Sequence, residues 1–545
     1  MGNCGVGFAP VKPGDEEFLI QLMEGVEDIP GTALHEGVDW NWETFPEFLD
    51  AIEKKDFVMD LGFMIGHGPL RSYVMGYERC QSQVDASEEE ISKMSDLVTE
   101  AIESGALGFS TSRTILHRDV HGVYVPGTEA SSEEMKSLAF AIDRAGEGTL
   151  EIVSDWLDKE IEMSWMKEYV EKSDCGLTVL QTSGDAVKTI LFCEEQFLKG
   201  KNVRPQFPGR NVGMMFGLES SLHPFIGHPS YREIAELPLS ERVKIMSDPA
   251  FKEKLLKEKP NFASEIEKSM NEQGSAKSKE EIQEAASLGQ KLISNYETQF
   301  ILGDPPNYEP GKEDSIAALA ETKGVSELEV IYDEFLKNGG TNLVYACFTP
   351  YDNHKLDFVE RAYSLKSSVA GGSDGGAHCG LICDASMPTT NLSHWARDRE
   401  AGKKIPIELI VRKQTKDTAE TYGLFDRGEI KTGMLADLNI IDFENLNVTH
   451  PKMVYDLPMG GRRLIQNSFG YLATVKSGEV VYESGEATGV LPGKLIRGKQ
   501  TCEVKAEKEK IPFVDRTLRL MSVKAFKLLW NLRKKPAKTT VVSGD

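Results

Sequence analysis

Short apolar segments alternate with amphipathic segments along most of this 545-residue chain, and this alternation constrains the fold more than any other feature. The apolar segments show little polar alternation, which is typical of strands that are buried on both faces of a parallel sheet. Repeated βα units of this kind predict an α/β protein built on a parallel sheet or barrel. The predicted strands lie at 58–66, 106–112, 148–154, 176–182, 341–348 and 367–373.

The segments between the strands carry the start and stop signals of helices. In the segment 87–105, Ser87 is followed three residues later by Glu90, which is capping-box spacing, and Gly105 closes the apolar pattern. Similar starts occur at Ser131 and Ser326. The sequence therefore predicts amphipathic helices that cross from one strand to the next.

Changes in composition divide the chain into regions. A Pro- and Gly-rich stretch opens an insertion over about 205–315, and an insertion of this size after a barrel strand usually forms a lid or a pocket wall. After residue 432 the pattern changes to short alternating strands with Gly turns. We predict a barrel over 1–431, a small β-sandwich module over 432–500 and a basic tail over 501–545.

Charge and hydropathy exclude several classes of partner. The net charge of −24 opposes binding to a phosphate backbone, so we expect no nucleic-acid partner. No apolar run approaches the roughly 20 residues of a membrane span, and the N-terminus has no signal-peptide pattern. The eight cysteines are scattered, as reduced thiols are. We therefore expect a cytoplasmic protein that acts on a small molecule.

The most informative local string is SVAGGSDGGAHCG at 368–380, where an apolar strand runs directly into Asp374. In a barrel the reaction occurs at the C-terminal ends of the strands, and the flanking glycines allow close backbone approach. A carboxylate at this place can hold a divalent metal and move a proton. The alternative is an Asp-Gly turn without chemistry, which these residues alone would favour.

Further candidates lie near predicted strand ends. Cys4 lies in a Gly-rich turn and can approach a metal, although a single Cys is more often a buried apolar residue. Glu151 lies on the strand 148–154, and His67 and His378 are predicted to line the substrate site. The guanidinium of Arg113, just after a strand, could hold a substrate carboxylate, with a surface ion pair as the alternative.

Taken together, these strings resemble a known family. The strings are GNCGVGFAP, IGHGPLRSYVMG, EAIESGALGFSTSR, GGSDGGAH and QTKDTAETYGLFDRGEIKTGMLADLNIIDF, and the likeness runs from residue 1 to about 498. The chain resembles the D-aminoacylase-like (N-acyl-D-amino-acid deacylase) branch of the amidohydrolase superfamily. This resemblance implies a (β/α)₈ TIM-like barrel with a small β-sandwich domain. It also implies one or two zinc ions at the barrel mouth, where they activate water to hydrolyse the C–N bond of a linear amide.

The resemblance also implies roles for single residues. Cys4 corresponds to a metal ligand of the family, and Asp374 corresponds to a residue that is both metal ligand and general acid/base. On the fifth strand the family has a histidine where this chain offers Glu151 or Asp155, so Glu151 is a candidate ligand. On the sixth strand it has a histidine where this chain offers Gln181 or Asp185.

The His-x-His pair of the family precedes its GNCG motif, so the first barrel strand is expected to be missing from this chain. Either further residues precede position 1 in the natural protein, or the chain is a fragment or an inactive relative. We favour the first, because a barrel without one strand exposes unpaired edges.

Two functions follow as hypotheses. The first is a metal-dependent hydrolase of N-acyl amino acids or related linear amides. The second is a catalytically inactive barrel that binds a small ligand or a partner protein through the insertion. A hydrolase with a Ser or Cys nucleophile is disfavoured, because the sequence has no GxSxG elbow. The metal content of the protein discriminates between the metal-dependent hydrolase and the inactive barrel.

Overall fold

A parallel sheet of six strands organises the structure, which is a computed structural model. It describes residues 2–181, 187–262, 286–287, 289–502, 515–516, 519–525 and 527. The six strands, each hydrogen-bonded to the next, are Ile65–Gly66, Gly108–Arg113, Thr149–Ser154, Gly176–Leu180, Val203–Pro208 and Val369–Gly371. Their order in the sheet follows their order in the chain, as expected of successive βα units in a barrel. The predicted α/β architecture is confirmed.

Helices connect and flank these strands. They are Glu16–Glu27, Gly31–Gly37, Phe45–Glu53, His67–Met75, Tyr77–Gln81, Glu88–Glu103, Ser132–Ala145, Lys159–Lys172, Val187–Leu198, Pro229–Arg232, Leu239–Met246, Pro249–Lys257, Ile316–Lys323, Glu327–Phe335, Asp357–Ser364, Met387–Ser393, Ile407–Gln414 and Lys416–Thr421. Short 3₁₀ turns cover Gly2–Cys4, Tyr296–Thr298, Lys312–Asp314, Lys337–Gly340 and Pro458–Gly460, and a π-helical turn covers His394–Asp398. None of the described helices is long and apolar enough to cross a membrane.

The predicted helix starts are confirmed at atomic detail. The Ser87 hydroxyl accepts a hydrogen bond from the Glu90 amide at 3.3 Å, and the Glu90 carboxylate accepts one from the Ser87 amide at 2.8 Å. The hydroxyls of Ser131 and Ser326 accept hydrogen bonds from the amides of Glu134 and Glu329, both at 3.2 Å. These side chains satisfy amide groups that have no partner within the helix, which is why the helices begin where the sequence predicts.

A separate antiparallel sheet is formed by three strands that lie, in the chain, between the last two strands of the parallel sheet. Strand Val344–Thr349 pairs antiparallel with Val212–Phe216 on one side and with Gln299–Ile301 on the other. The prediction of a parallel barrel strand at 341–348 is therefore wrong in its pairing, because an apolar run indicates burial but not the partner strand.

The strand Val203–Pro208 belongs to the parallel sheet, whereas the sequence predicts that the insertion begins at about residue 205. Its sequence contains two prolines, a Gln and an Arg, which is more typical of a loop than of a buried strand.

The inserted region has an apolar core of its own. Phe225, Tyr332, Phe335 and Val344 are fully buried there against one another. Part of the region, residues 263–285 and 288, lies outside the described residues. The described part of the inserted region thus has an apolar cluster that is separate from the core around the parallel sheet.

The C-terminal module is built from antiparallel strands, as predicted. Four strands form one sheet, and two further pairs of strands are separate from it. The sheet contains Leu438–Ile441, Tyr471–Lys476, Glu479–Glu483 and Glu486–Ala487. The hairpin of Lys452–Leu457 and Gly461–Ile465 is flanked in the chain by the pair Asn447–Val448 and Ser468–Phe469. Of the basic tail, residues 503–514, 517–518, 526 and 528–545 lie outside the described residues.

Candidate active site

The turn Gly2–Cys4 packs on the C-terminal ends of two parallel strands. Gly5 follows it with φ of 67°, and a Cβ atom there would lie 2.8 Å from the amide nitrogen of Ser112. The carbonyl oxygen of Gly5 accepts a hydrogen bond from the Gly68 amide at 2.8 Å. A glycine is therefore required beside Cys4. The Cys4 thiol is buried at the end of the sheet where barrel chemistry occurs.

Glu27 also reaches this place, from the C-terminal end of helix Glu16–Glu27. Its backbone carbonyl accepts a hydrogen bond from the Cys379 amide at 3.2 Å, and the neighbouring Asp28 carboxylate accepts one from the Gly380 amide at 3.0 Å. These two bonds join the helix end to the turn that follows strand Val369–Gly371. The Glu27 side chain is fully buried, and its Oε2 lies 3.6 Å from His378 Nε2.

Asp374 and His378 lie on the turn itself. Both have left-handed backbone conformations, with φ of 37° and 51°, which are unusual for residues other than glycine. The charge of Asp374 contributes to the raised pKa of both Cys4 and Glu151, after the larger effect of burial in each case. The turn therefore brings Asp374 close to two other predicted site residues.

Glu151 lies beneath the Gly2–Cys4 turn. Its Oε2 accepts a hydrogen bond of 2.6 Å from the Tyr422 hydroxyl, and a Cβ atom at Gly2 would lie 2.5 Å from its Oε1. Gln206 donates to the Tyr422 hydroxyl at 3.2 Å. Burial raises the pKa of Glu151, although the Tyr422 hydrogen bond opposes this. Tyr422 thus holds one oxygen of this carboxylate in place.

Burial also determines the protonation of two other groups in the site. Burial and the Glu27 carboxylate raise the pKa of the Cys4 thiol well above its usual value, so the thiol is protonated at neutral pH. Burial, and then the charge of His378, lower the pKa of His117 to about 3. Its Nδ1 is hydrogen-bonded to the Ser112 hydroxyl at 2.8 Å. His117 is consequently a neutral imidazole.

His67 and Arg113 are placed differently from the other candidates. Both ring nitrogens of His67 are engaged, Nδ1 with Thr111 at 2.8 Å and Nε2 with Glu134 at 2.9 Å, and the side chain is fully buried. Arg113 donates from Nε to the Glu162 carboxylate at 2.6 Å. In this state His67 has no ring nitrogen available for a substrate, and Arg113 is held in an ion pair at the rim of the sheet.

The structure therefore brings together Cys4, Glu151, Asp374 and His378, and it adds Glu27, His117 and Tyr422, which the sequence analysis did not single out. His117 could have been found, since it closely follows a strand end. Glu27 had no local signal, because it ends an ordinary amphipathic helix. Asp185, the other expectation for the sixth strand, lies outside the described residues.

A second cluster of buried charge adjoins the site. Arg210 follows strand Val203–Pro208, and its Nη2 donates to Asp384 at 3.0 Å while the guanidinium stacks on the Tyr308 ring at 3.6 Å. Burial raises the pKa of Asp384 to about 6, with Arg210 opposing and Asp374 adding to the rise. Within the described part of the chain, Nε and Nη1 of Arg210 have no acceptor. The cluster thus offers two buried donors beside Asp374.

This chain is similar to known proteins over one segment and over most of its length. Residues 307–482 match the model of an amidohydrolase family. An uncharacterized protein of Mycobacterium tuberculosis is 24% identical over 520 residues, which cover 90% of this chain and 79% of the relative. A D-aminoacylase of Alcaligenes xylosoxydans xylosoxydans is 24% identical over 444 residues, covering 81% of this chain and 70% of the relative.

Solved structures show the same fold. A D-aminoacylase variant in complex with copper chloride superposes with a TM-score of 0.52 at 18% identity, over 91% of this chain and 82% of the other. An N-acyl-D-glutamate deacylase from Bordetella bronchiseptica, complexed with zinc and a phosphonate inhibitor, gives 0.50 at 17% identity over the same shares. The resemblance to D-aminoacylase-like amidohydrolases is confirmed, and so is the barrel with an appended β-domain.

Proposed function

We propose that this chain is a metal-dependent hydrolase that cleaves the C–N bond of a linear amide, with an N-acyl amino acid as its substrate. The observation that carries the proposal is the meeting of Cys4, Glu151 and Asp374 at the C-terminal end of the parallel sheet. That end of a barrel is where catalytic residues collect in this architecture. The amidohydrolase family match and the D-aminoacylase relative support the reaction class.

The donor set is of the kind that zinc accepts. Cys4 offers sulfur, Asp374 and Glu151 offer carboxylate oxygens, and such groups are the usual protein ligands of Zn²⁺. The Glu27 carboxylate is buried close to the Cys4 thiol, and its Oε2 lies 3.6 Å from His378 Nε2. As they stand, no three His, Cys, Asp or Glu side chains of the described ranges are arranged around a single ion. Cys4, Asp374 and Glu151 are the residues that would hold a zinc ion if one bound at this end of the sheet.

A bound zinc ion supplies Lewis-acid polarisation of the amide carbonyl. Asp374 then has the proton-transfer role, since it lies at the mouth of the sheet on a strained turn. Its carboxylate accepts a proton from the attacking water and donates it to the departing amine. One residue thus serves as base and then as acid.

A substrate with a free carboxylate fits the charges around the site. Arg113 is the last residue of strand Gly108–Arg113, and Arg210 lies just beyond strand Val203–Pro208. A guanidinium can bind a carboxylate through two parallel hydrogen bonds. Arg210 has two donors without acceptors in the described structure, whereas Arg113 is engaged with Glu162. We propose that one of them binds the carboxylate of the N-acyl amino acid.

The test is turnover of a panel of N-acyl amino acids, in D and L forms, by the full chain loaded with zinc. Asp374→Asn should lower kcat/KM by about 10²–10⁴-fold, the usual contribution of a general acid/base. The exposed Asp352→Asn serves as a control and should leave the rate unchanged. Turnover by Asp374→Asn at the parent rate would contradict the assigned role. Absence of turnover with every amide of the panel would contradict the proposed function.

A catalytically inactive, ligand-binding barrel is the second candidate. It is favoured by the absence, within the described residues, of a preassembled group of three metal ligands. Under this alternative the chain would bind an N-acyl amino acid, with or without zinc, and would not turn it over. Calorimetric titration with the same panel distinguishes the two, because an inactive barrel yields a stable binding signal and no product.

A further inference from the structure

We infer that Gln466, a residue of the appended β-module, positions Arg210 to bind the carboxylate of the substrate. This role deepens the proposed function and rests on it, since it takes the ligand to be an N-acyl amino acid. Gln466 directly follows strand Gly461–Ile465 of the module. Under this inference the β-module takes part in ligand recognition at the barrel mouth, in addition to packing against the barrel.

The Arg210 guanidinium is buried, and only part of it is hydrogen-bonded. Its Nη2 donates to the Cys383 carbonyl oxygen at 2.9 Å, to Asp384 at 3.0 Å and to Ser386 Oγ at 3.3 Å. Within the described residues, its Nε and Nη1 have no acceptor. A buried donor without an acceptor is costly, and hydrogen bonds from a guanidinium to a carboxylate are among the strong ones. The free N–H groups of Arg210 therefore fit a ligand carboxylate.

Arg210 lies next to the proton-transfer residue of the proposed reaction. Its ionic partner Asp384 is ten residues beyond Asp374 on the same connection, and the charges of Asp374 and His378 both act on Asp384. Charges act on one another in this way only over short distances. In an N-acyl amino acid a single carbon atom separates the carboxylate from the amide nitrogen. A residue that binds the carboxylate must consequently lie near the residue that protonates this nitrogen, as Arg210 does.

Two side chains that hold Arg210 are themselves held by the amide of Gln466. Ser386 Oγ, which accepts a hydrogen bond from Arg210, donates one to Gln466 Oε1. The Arg210 guanidinium also stacks on the Tyr308 ring, with its central carbon 3.6 Å from the ring centroid. The Tyr308 hydroxyl accepts a hydrogen bond from Gln466 Nε2 at 2.8 Å. Gln466 is thus linked to the guanidinium both through its edge and through its face.

The Gln466 amide is fixed by the β-module and by its contact with the barrel. Gln466 Nε2 donates to the Thr449 carbonyl oxygen at 2.6 Å. The Leu464 amide donates to the Cys379 carbonyl oxygen at 2.6 Å, which fastens the module to the connection that follows the last parallel strand. Since the amide nitrogen faces a carbonyl and the amide oxygen faces a hydroxyl, one orientation of the side chain is favoured. The position of Arg210 therefore depends on the docked β-module.

The experiment compares two amides that differ only in the carboxylate, N-acetyl-leucine in both enantiomers and N-isopentylacetamide. Calorimetric titration of the full chain gives the Kd of each, and KM from initial rates takes its place where the amide is hydrolysed. Gln466→Met keeps the length of the side chain and removes its hydrogen bonds. It should weaken binding of N-acetyl-leucine by about three- to tenfold, the effect of a lost hydrogen bond, and leave binding of N-isopentylacetamide unchanged. Asn467→Ala removes the adjacent, exposed amide and should bind both as the parent does.

A double-mutant cycle shows whether Gln466 acts through Arg210. Arg210→Lys keeps a cation beside Asp384 and removes the free guanidinium donors, so it should weaken N-acetyl-leucine binding by at least about tenfold. Adding Gln466→Met to Arg210→Lys should cause no further loss, because residues that act on a ligand through one group are not additive. Ser386→Ala breaks the link between Gln466 and Arg210 and should reproduce the effect of Gln466→Met, so it supplies the test if Gln466→Met does not fold.

Equal weakening of both amides by Gln466→Met would indicate a structural role and would overturn the inference, as would additive losses in the double variant. A parent chain that binds N-acetyl-leucine no more tightly than N-isopentylacetamide would overturn it as well. These failures differ from failure of the proposed function. If binding requires the carboxylate and Gln466 but no amide is hydrolysed, the inference stands and the proposed function does not. If the parent hydrolyses N-acetyl-leucine and Gln466→Met does so with the same KM, only the inference fails.

Discussion

Several carboxylates are buried in the interior of this protein, among them Glu27, Glu134 and Glu151. Glu134 and Glu151 are both buried, and each accepts hydrogen bonds from neighbouring side chains. Glu27 is equally buried, and its Oε2 lies 3.6 Å from His378 Nε2. Because a buried carboxylate is costly unless its oxygens are satisfied, the partners of each one determine whether it serves stability or function.

The hydrogen bond from Tyr422 to Glu151 can be tested directly. Tyr422→Phe removes the donor and leaves the ring in place, so a buried carboxylate loses its partner. We expect the free energy of unfolding to fall by about 2 kcal/mol, as is typical of a hydrogen bond to a charged group. Urea unfolding measures the change. Tyr482→Phe, at an exposed tyrosine of the C-terminal sheet, should stay within about 0.5 kcal/mol of the parent.

Glu134 holds the buried cluster around His67. Its Oε1 binds His67 Nε2 at 2.9 Å and Arg71 Nε at 3.0 Å, and all three side chains are almost fully buried. Glu134→Gln leaves the Arg71 charge unpaired, so we expect a loss of about 3–5 kcal/mol in the free energy of unfolding. Glu133→Gln changes the adjacent, exposed carboxylate of the same helix and should cost almost nothing. Equal losses in the two variants would contradict a special role for Glu134.

At the scale of secondary-structure elements, Glu309 joins three separate segments. Arg399 donates to both of its oxygens, at 2.9 and 3.0 Å, and the Leu356 amide donates to Oε1 at 2.9 Å. His394, at the start of the π-helical turn His394–Asp398, contacts Oε2 at 2.8 Å. One carboxylate therefore ties the exit of the insertion to this turn and to the start of helix Asp357–Ser364.

This junction predicts a dependence of stability on pH. Burial alone would raise the pKa of Glu309, but the hydrogen bonds from His394 and Arg399 lower it to about 2, against an ordinary value of 4.5. A pKa that is lower in the folded state means that the stabilisation is present above about pH 4.5 and is lost as the pH falls toward 2. We expect Tm to fall over this range more steeply in the parent than in Glu309→Gln. The exposed Glu313→Gln should follow the parent curve; parallel curves for the parent and Glu309→Gln would show that this carboxylate does not contribute.

At the scale of the whole molecule, the β-module leaves an apolar face exposed. Leu438 and Ile440 lie on one face of its four-stranded sheet, opposite Val475 and Ala473, and Val480 continues the same face. Ile440 is 52% exposed. Large exposed apolar patches favour association, so this sheet is the surface through which the isolated chain is expected to self-associate.

Substitutions at two adjacent residues distinguish an effect on self-association from an effect on the free energy of unfolding. Ile440→Thr should leave the free energy of unfolding within about 0.5 kcal/mol of the parent and should reduce light scattering of concentrated protein. Ile441 faces the other side and packs against the apolar core next to the barrel. Ile441→Thr should therefore destabilise the chain without reducing the scattering. Unchanged scattering in Ile440→Thr would show that this face does not drive association.

Much of the architecture follows from local patterns in the sequence. The apolar runs predict most of the parallel strands, and the Ser-x-x-Glu spacing predicts helix starts that the structure reproduces. The position of Asp374 directly after an apolar strand predicts that it lies at the sheet end where barrel chemistry occurs. These predictions succeed because strand burial, helix capping and strand direction depend on residues that are close in sequence.

Other features depend on contacts between residues that are far apart in sequence, and only the tertiary structure determined them. The partners of strand Val344–Thr349 lie as far away as Val212, and the recognition of Val203–Pro208 as a barrel strand required its neighbours. The place of Glu27 depends on amides more than 350 positions away, including that of Gly380. No local pattern distinguishes this glutamate from others that end helices. Its burial beside Cys4 arises because packing brings a helix end and a barrel turn together.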